Sequence, residues 1–473
     1  MADGLPKESS IFEHRTLQDI YDEIRNVYLR YPQPLVIGYS GGKDSTTVLQ
    51  LIWVALEKLP PEKRQKPVFV IASDTKVETP IIVDYIDDTL RRINERAKAT
   101  GMPFRAEKVV PTLNNSFWIN LIGRGYPAPS TRFRWCTDRM KIAPANKFIE
   151  EKVTQYGEVI MVLGVRKTES STRMQLMSTY QVEGHLLRRH SSLRGAYVYA
   201  PIADFSTKDV WDYLLQNHTS PWGSNNRDLV TLYRNANAGE CPLVIDDTTP
   251  SCGNSRFGCW VCTVATRDSS MESLVDKGEA WLEPLLDFRD YLATTIDPAR
   301  KREFRDIRGR DGRVIKKKDG TLAARTYTLD TSKQMLEELI RIQLSIRAQG
   351  PDPNIELISV DELHEIRRIW RTERQDWEDS LPQIYRKVFG SDLNWEADDD
   401  YHFDGNHKQL LVSICKEHNV PFELVGKMLE AERRTSGMAR RAGIHKALTS
   451  LLAQEWRDEK DIIEEETPHL WPL

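Results

Sequence analysis

Strand and helix signals alternate through the first two hundred residues of this chain. Short apolar runs predict five buried strands, at 35–37, 68–72, 104–110, 159–165 and 197–202. Helical periodicity falls between them, at 81–97 and 142–156, and a capping-box pattern at 206–209 starts another helix. Because strands that alternate with helices pair in parallel, the sequence predicts an α/β fold with a doubly wound parallel sheet.

The hexapeptide at 40–45 closes the first strand and opens a helix. Its residues are Ser40, Gly41, Gly42, Lys43, Asp44 and Ser45. Two glycines allow a tight turn, so backbone N–H groups and the positive helix end converge on an anion, to which Lys43 adds charge. The pattern predicts a phosphate site with Lys43 at the exposed end of the sheet, outside the core. It differs from the G-x-x-x-x-G-K-[ST] loop, and the alternative is a surface turn with an incidental lysine.

Two more loops follow predicted strands and carry polar side chains. Asp74, between Ser73 and Thr75, offers a carboxylate that can bind magnesium or orient a nucleotide, although Asp and Ser are also ordinary turn residues. Segment 164–173 offers Arg166 and Arg173 for phosphate, with Glu169 to hold one of them, or a salt bridge on a surface loop. Ligands of such sheets bind beyond the carboxyl ends of the strands, so we expect these loops to gather around one site.

Five of the six cysteines lie between positions 136 and 262. Cys241, Cys252, Cys259 and Cys262 form a local quartet that ends in C-x₂-C, a spacing that predicts a shared metal centre and leaves structural zinc as an alternative to an iron–sulfur cluster. Cys136 begins a helical segment in which the helix dipole, Arg139 and Lys141 favour a reactive thiolate. It is therefore a candidate sulfur carrier, or a cluster ligand in place of Cys241.

The length and charge of the chain indicate how it is organised into domains. Its 473 residues exceed one ordinary core, its net charge is −4, and no apolar run is long enough to span a membrane. No secretory signal is seen at the N-terminus, and we expect a cytoplasmic protein. We predict a domain at 1–295 with a Cys-rich region at 241–262, a basic linker at 296–330, and a helical domain at 331–473, with helical patterns at 333–347, 360–388 and 408–456.

The linker region is strongly basic. Eleven Lys and Arg residues against four acidic ones lie between positions 300 and 325. Such a segment can neutralise nucleic-acid phosphates, and the alternative is a solvated mobile loop.

Taken together, the motifs resemble the phosphoadenylyl-sulfate reductase superfamily of ATP pyrophosphatases, also called PP-loop proteins. The similar segments occur in the same chain order and are 40–45, 164–173, 201–211 and 258–263. The resemblance covers roughly residues 30–265 and implies an adenine nucleotide alpha hydrolase-like sheet. Within the superfamily, segments 241–243 and 249–262 are most similar to the sulfurtransferases of bacterial DNA phosphorothioation.

This resemblance implies a function, cofactors and partners. The implied enzyme uses ATP and Mg²⁺ to adenylate a DNA backbone phosphate, and sulfur then displaces AMP. Lys43, Asp44, Arg166 and Cys136 would be catalytic, and a 4Fe-4S cluster would bind the cysteine quartet. The implied partners are DNA, a cysteine desulfurase as sulfur donor, and the DndD and DndE subunits, with no membrane association.

Three other functions stay open at this point. A sulfonucleotide reductase shares the scaffold, but its carboxy-terminal cysteine motif is absent from the tail at 467–473. A tRNA thiolase is a further enzyme, and a non-catalytic nucleotide-binding subunit of a DNA-defence complex belongs to another class. Release of pyrophosphate would separate the last of these from the enzymes.

Overall fold

The chain divides into two compact units. In the computed structural model the described residues are 10–167, 186–236, 258–395, 403–435 and 443–464. The first unit contains residues 1–112 and 131–286, and the second contains 113–130 and 287–473. The second unit therefore includes a short segment, 113–130, that the sequence places within the first domain.

Six strands form one sheet among the described residues of the first unit. They are β1 (Leu35–Gly38), β2 (Val68–Ser73), β3 (Phe104–Val109), β4 (Val159–Val162), β5 (Arg188–Arg189) and β6 (Ala196–Tyr199). Their order across the sheet is β3-β2-β1-β4-β6-β5. Neighbouring strands pair in parallel except β5, which is antiparallel to β6 at the edge. The predicted doubly wound parallel sheet is confirmed.

Helices surround this sheet. Those of the first unit are α1 (Leu17–Arg30), α2 (Lys43–Glu57), α3 (Pro80–Thr100), α4 (Ala143–Tyr156), α5 (Thr207–Gln216), α6 (Asn226–Ala236) and α7 (Ser269–Asp276). The helices predicted at 81–97 and 142–156 are confirmed as α3 and α4. The predicted capping box is also present, because the Asp209 amide donates to Ser206 Oγ over 3.1 Å and the Ser206 amide donates to Asp209 Oδ2 over 2.9 Å.

Both faces of the sheet are covered. Leu35 and Ile37 of β1 join a core with α1, α2, α3 and α5, whereas Val36 faces α4 and packs with Phe148. This alternation explains why the strands of a parallel sheet are continuous apolar runs. Nearly all residues of α2 are buried, so the start of this helix lies inside the protein at the end of β1.

Two predicted strands end early. β4 stops at Val162 instead of residue 165, and β6 stops at Tyr199 instead of residue 202. Two residues past the end of β4, Gly164 lies close to the backbone at the start of α2. The apolar residues continue past the ends of both strands, so composition alone does not show where β4 and β6 stop.

The second unit is mainly helical. Its helices are α8 (Glu283–Thr294, which the division at residue 286 cuts), α9 (Leu329–Gln349), α10 (Val360–Glu373), α11 (Ser380–Phe389), α12 (Gly405–Glu417), α13 (Phe422–Thr435), α14 (Ile444–Leu452) and α15 (Glu459–Glu464). The helical pattern at 360–388 becomes two helices. Gln375 and Asp379, between α10 and α11, both have left-handed φ of 52°. No helix among the described residues is long and apolar enough to cross a membrane.

Segment 113–130 is built into the core of this helical unit. The indole of Trp118 donates to the Leu357 carbonyl over 2.6 Å, and that of Trp370 donates to the Ile122 carbonyl over 3.0 Å. The guanidinium of Arg374 also donates to the Ile122 carbonyl, over 3.2 Å, and burial lowers the pKa of Arg374 to about 10. The segment is thus joined to the helices by buried hydrogen bonds.

Candidate nucleotide site and cysteine turn

The hexapeptide at 40–45 lies at the point where the sheet reverses its winding. β2 and β4 flank β1 on opposite sides, so the loops after β1 and β4 border the crevice in which such sheets bind ligands. Gly41 has a φ of +74°, which favours glycine, and Gly42 is the N-cap of α2. Ser45 Oγ accepts from the Ser40 amide over 3.2 Å and donates to the Gly42 carbonyl over 3.0 Å. The predicted turn at a helix N-terminus is formed.

Two cations and one carboxylate are buried at this turn. Lys43 Nζ lies 2.9 Å from Asp44 Oδ2, and Arg166 Nε lies 2.8 Å from Asp44 Oδ1. Lys43 is only 2% exposed and Arg166 only 1%, so the expectation that Lys43 lies outside the core is wrong. Burial is tolerated because Asp44 pairs with both cations. Two buried cations beside the first turn of α2 favour the binding of an anion at this turn.

Gly164 makes the approach of Arg166 possible. A Cβ atom on Gly164 would lie 2.9 Å from both the Asp44 carbonyl carbon and the Ser45 amide nitrogen. Only glycine allows the loop after β4 to pass this close to the first turn of α2. Arg166 then reaches Asp44 and also donates to Thr207 Oγ1 of α5 over 3.0 Å. The loop after β4 therefore joins the site as predicted from its sequence position, through a contact that the sequence does not reveal.

Sequence reasoning missed Tyr233. This residue of α6 accepts a hydrogen bond from the Lys43 amide over 3.1 Å, and Lys43 Nζ lies 5.8 Å from the centre of its ring. The amide belongs to the first turn of α2, where N–H groups have no partner within the helix and are the usual donors to phosphate. The hydroxyl thus occupies the position of an acceptor oxygen. No motif marks Tyr233, which lies 190 residues from Lys43.

Asp74 follows β2 and is held by cations. Its Oδ1 accepts from the Lys76 amide over 2.8 Å, and its Oδ2 lies 3.1 Å from Lys108 Nζ. Burial raises the pKa of Asp74, but the Lys76 amide and the charges of Lys76 and Lys108 outweigh it and hold the pKa below its ordinary value. Asp44 and Asp74, the predicted acidic residues of the site that the structure describes, are therefore both paired. The described residues do not fit a magnesium ion held by protein carboxylates.

The C-x₂-C motif, formed by Cys259 and Cys262, makes a turn beside the loop that follows β2. The Cys262 amide donates to the Cys259 carbonyl over 3.0 Å, which brings both cysteines onto one turn. The Trp260 amide donates to the Val77 carbonyl over 2.9 Å, and Cys259 forms a β-bridge with Glu78. The turn is thus attached to the segment that follows Asp74. A pair of thiols on one turn fits thiolate ligation of a metal or cluster.

The Cys259 thiol has a defined polar environment. Its Sγ lies 3.2 Å from Thr75 Oγ1, and that hydroxyl donates to Glu78 Oε1 over 2.6 Å. Burial raises the pKa of Cys259 well above its ordinary value, against the opposing charge of Lys141. Burial likewise raises the pKa of Glu78.

The other predicted ligands are only partly placed. Cys241, Cys252, Glu169 and Arg173 lie outside the described residues. Cys136 is half-buried and lies in a first helical turn, directly before the π-helical turn Thr137–Ile142. Within the described ranges no three His, Cys, Asp or Glu side chains are grouped to hold a metal ion. Cys136, Cys259 and Cys262 alone thus do not complete a centre.

Two family models match separate parts of the chain. Residues 34–265 match the phosphoadenosine phosphosulfate reductase domain, in agreement with the resemblance seen at roughly 30–265. Residues 407–453 match a small protein found in certain Dnd DNA modification systems. The first of these matches spans the six-stranded sheet, so this region of the chain is similar to the domain of a nucleotide-using enzyme. A helical segment related to Dnd systems follows it.

Individual relatives are distant. An uncharacterized protein of Methanocaldococcus jannaschii is 28% identical over 193 residues, which cover 41% of this chain and only about a third (34%) of that protein. A phosphoadenylyl-sulfate reductase from Candida auris, solved with phosphate, is 16% identical with a TM-score of 0.29 over 47% of this chain and 87% of its own. FMN adenylyltransferase of Candida glabrata, solved with FAD and pyrophosphate, is 13% identical with a TM-score of 0.27, over 45% and 60%. The fold assignment rests on the sheet order itself.

Proposed function

We propose that this chain is a DndC-type sulfurtransferase, which uses ATP to replace a non-bridging oxygen of the DNA backbone with sulfur. The observation that carries this proposal is the presence, in one chain, of a reductase-type domain with a buried cationic phosphate loop and a segment related to Dnd systems. The first feature supports adenylation chemistry. The second supports DNA as the substrate and the DndD and DndE subunits as partners.

The first chemical step is adenylation of the DNA. A non-bridging oxygen of a backbone phosphate attacks the α-phosphorus of ATP, and pyrophosphate leaves. Lys43, Arg166 and the amides of the first turn of α2 stabilise the charge that develops on pyrophosphate. Asp44 positions both cations through its two oxygens. We propose that magnesium enters with ATP as the counter-ion of its phosphates, because Asp44 and Asp74 are already paired.

The second step exchanges oxygen for sulfur. A sulfur nucleophile attacks the DNA phosphorus, and AMP leaves with the original oxygen. We propose that a cysteine desulfurase supplies this sulfur as a persulfide on Cys136, and that an external thiol supplies the two electrons needed to release it. Cys259 and Cys262 would hold a 4Fe-4S cluster together with Cys241 and Cys252. When bound, such a cluster supplies redox-active iron with an affinity for sulfur.

The test uses the full chain, purified without oxygen and supplied with ATP, DNA, a thiol and a cysteine desulfurase. Pyrophosphate is measured by a coupled assay, and phosphorothioate dinucleotides are measured by mass spectrometry after digestion of the DNA. We expect both products, and both should require ATP. Pyrophosphate release without any phosphorothioate in DNA would contradict the proposed acceptor.

A sulfonucleotide reductase is the second candidate, because the family model that matches residues 34–265 is named for that activity. The same preparation, given phosphoadenosine phosphosulfate and a thiol reductant, distinguishes the two. Sulfite release without ATP consumption would favour the reductase. We expect no sulfite above background.

A further inference from the structure

The basic segment between 300 and 325 separates into two classes of residue in the structure. Most of its arginines are used within the second unit. Arg300 pairs with Glu303 at 2.9 Å, Arg302 with Glu459 at 2.5 Å, Arg310 with Glu373 at 3.3 Å and Arg325 with Asp311 at 3.7 Å. Arg308 donates to the carbonyls of Glu455 and Arg457 over 3.0 and 2.7 Å. Their charge is therefore largely committed to the fold.

Residues 315–323 form a β-hairpin. Lys316 bridges Leu322, the Ala323 amide donates to the Ile315 carbonyl over 2.9 Å, and the Lys317 amide donates to the Thr321 carbonyl over 2.8 Å. The loop closes with a hydrogen bond of 3.0 Å from the Gly320 amide to the Lys317 carbonyl, and Gly320 has a φ of +81°. A left-handed glycine after a tight turn is a usual end of a three-residue hairpin loop. The Asp319-Gly320 pair is the sequence signal for this hairpin.

The base of the hairpin is anchored. Leu322 is buried with Ile307 and Ile462, and Val314 packs against this cluster. Lys316 Nζ lies 3.4 Å from the Ile463 carbonyl of α15. These contacts join the base of the hairpin to α15 and its neighbours.

The tip presents lysines. Lys316, Lys317 and Lys318 are exposed, and none of the three forms an ion pair with a described residue. The one carboxylate at the tip, Asp319, accepts hydrogen bonds from the Thr321 amide and hydroxyl, over 3.0 and 2.7 Å. Lys316 Nζ and Lys317 Nζ donate only to neutral acceptors, the Ile463 carbonyl and Thr321 Oγ1, so the hairpin carries an excess of positive charge among the described residues.

We propose that this hairpin is a contact for the sugar-phosphate backbone of duplex DNA. This inference rests on the proposed function, which makes DNA the substrate. Lysines are flexible point charges that suit phosphate oxygens and read no base sequence. Protein interfaces are instead depleted in Lys and enriched in aromatic residues and Arg. The charges therefore favour nucleic acid over an acidic protein surface.

The test compares two triple variants of the full chain. One is Lys316→Ala/Lys317→Ala/Lys318→Ala. The control, Lys63→Ala/Arg96→Ala/Lys98→Ala, removes the same charge from exposed residues of the first unit. Affinity for two labelled duplexes of unrelated sequence is measured by fluorescence anisotropy over a range of salt concentrations, without ATP. Thermal melting of both variants checks that they fold.

For the hairpin variant we expect the slope of log affinity against log salt to become shallower by about 2 to 3, because each lost phosphate contact contributes about 0.9. Affinity at low salt should fall on the order of 10- to 100-fold, equally for both duplexes. The control should stay within about twofold of the wild type.

An unchanged slope, an equal loss in the control variant, or no measurable binding by the wild-type chain would overturn the inference. These outcomes are separable from failure of the proposed function. If the hairpin variant loses DNA affinity while the wild type makes no phosphorothioate, the contact stands and the proposed reaction fails. If phosphorothioate forms and the slope is unchanged, the reaction stands and the contact fails.

Discussion

Lys43, Asp44 and Arg166 are the residues on which the phosphate site depends most. Each oxygen of Asp44 receives one cation, at 2.9 and 2.8 Å. Asp44 thus holds both cations beside the first turn of α2. All three residues are buried.

Replacing Lys43 with Ala should reduce pyrophosphate release about 100-fold or more, because charge stabilisation at the leaving group is lost. The free energy of unfolding should fall by about 1–3 kcal/mol, since Asp44 loses one buried partner and keeps Arg166. A coupled pyrophosphate assay and denaturant unfolding measure the two effects. Lys63→Ala, at an exposed position, is the control and should change neither. Normal turnover in Lys43→Ala would remove the loop from the reaction.

Tyr233 competes with phosphate for the Lys43 amide. In Tyr233→Phe the ring is kept and the accepting hydroxyl is lost, so the amide becomes available to a ligand oxygen. We expect pyrophosphate to bind about 3- to 10-fold more tightly, which corresponds to one net hydrogen bond of about 1 kcal/mol. Isothermal titration calorimetry checks this. Weaker binding would mean that the hydroxyl donates to the bound phosphate instead.

Cys136 is proposed to carry sulfur, and Cys259 to bind iron. Cys136→Ser should therefore keep iron and pyrophosphate release while phosphorothioate falls below detection, because serine cannot hold transferable sulfur. Cys259→Ser should lose iron. Iron and sulfide analysis of anaerobically purified protein, beside mass spectrometry of DNA, gives the readouts. Loss of iron in Cys136→Ser would make this residue a ligand, and zinc without iron in the wild type would make the turn a structural site.

At the scale of elements, the contact between the loop after β4 and the start of α2 assembles the site. Gly164→Ala places a Cβ 2.9 Å from backbone atoms of Asp44 and Ser45, which cannot move as a flexible side chain would. We expect the free energy of unfolding to fall by about 1–3 kcal/mol. Displacement of Arg166 should lower pyrophosphate release about 10- to 100-fold.

Gly443→Ala is the matched control for this change. A Cβ at Gly443 meets no atom of the described residues within 4 Å, and its φ is −100°, so the substitution should leave both quantities unchanged. Unaltered stability and activity in Gly164→Ala would show that the site does not need the close contact between the loop after β4 and the start of α2.

At the scale of the whole molecule, the second unit is discontinuous in sequence. A fragment that begins at residue 287 lacks 113–130, and with it the Trp118 indole and the Ile122 carbonyl, which bind Leu357 and Trp370. Buried polar groups would lose their partners, at about 1–3 kcal/mol for each. We expect the fragment to show no cooperative thermal transition by circular dichroism. The full chain is the reference. A cooperative transition in the fragment would show that the second unit folds without segment 113–130.

Much of the fold follows from local patterns. Alternating apolar runs and helical periodicity predict the parallel sheet, and the two glycines at 41 and 42 predict the turn at a helix start. These features depend on interactions between residues that are close in sequence, so the local sequence is enough to predict them. The order of motifs likewise predicts the reductase-type domain that the family match supports.

Only the tertiary structure decided the partners of these features. Burial of Lys43, the approach of Gly164 and the hydroxyl of Tyr233 each depend on residues far away in sequence, so no local pattern predicts them. The same holds for segment 113–130, which belongs to the second unit, and for the basic segment, in which most arginines form ion pairs and the lysines form none with a described residue. The physical reason is that charge and burial are properties of packed surroundings. A sequence specifies which groups are available, and the fold determines which of them meet.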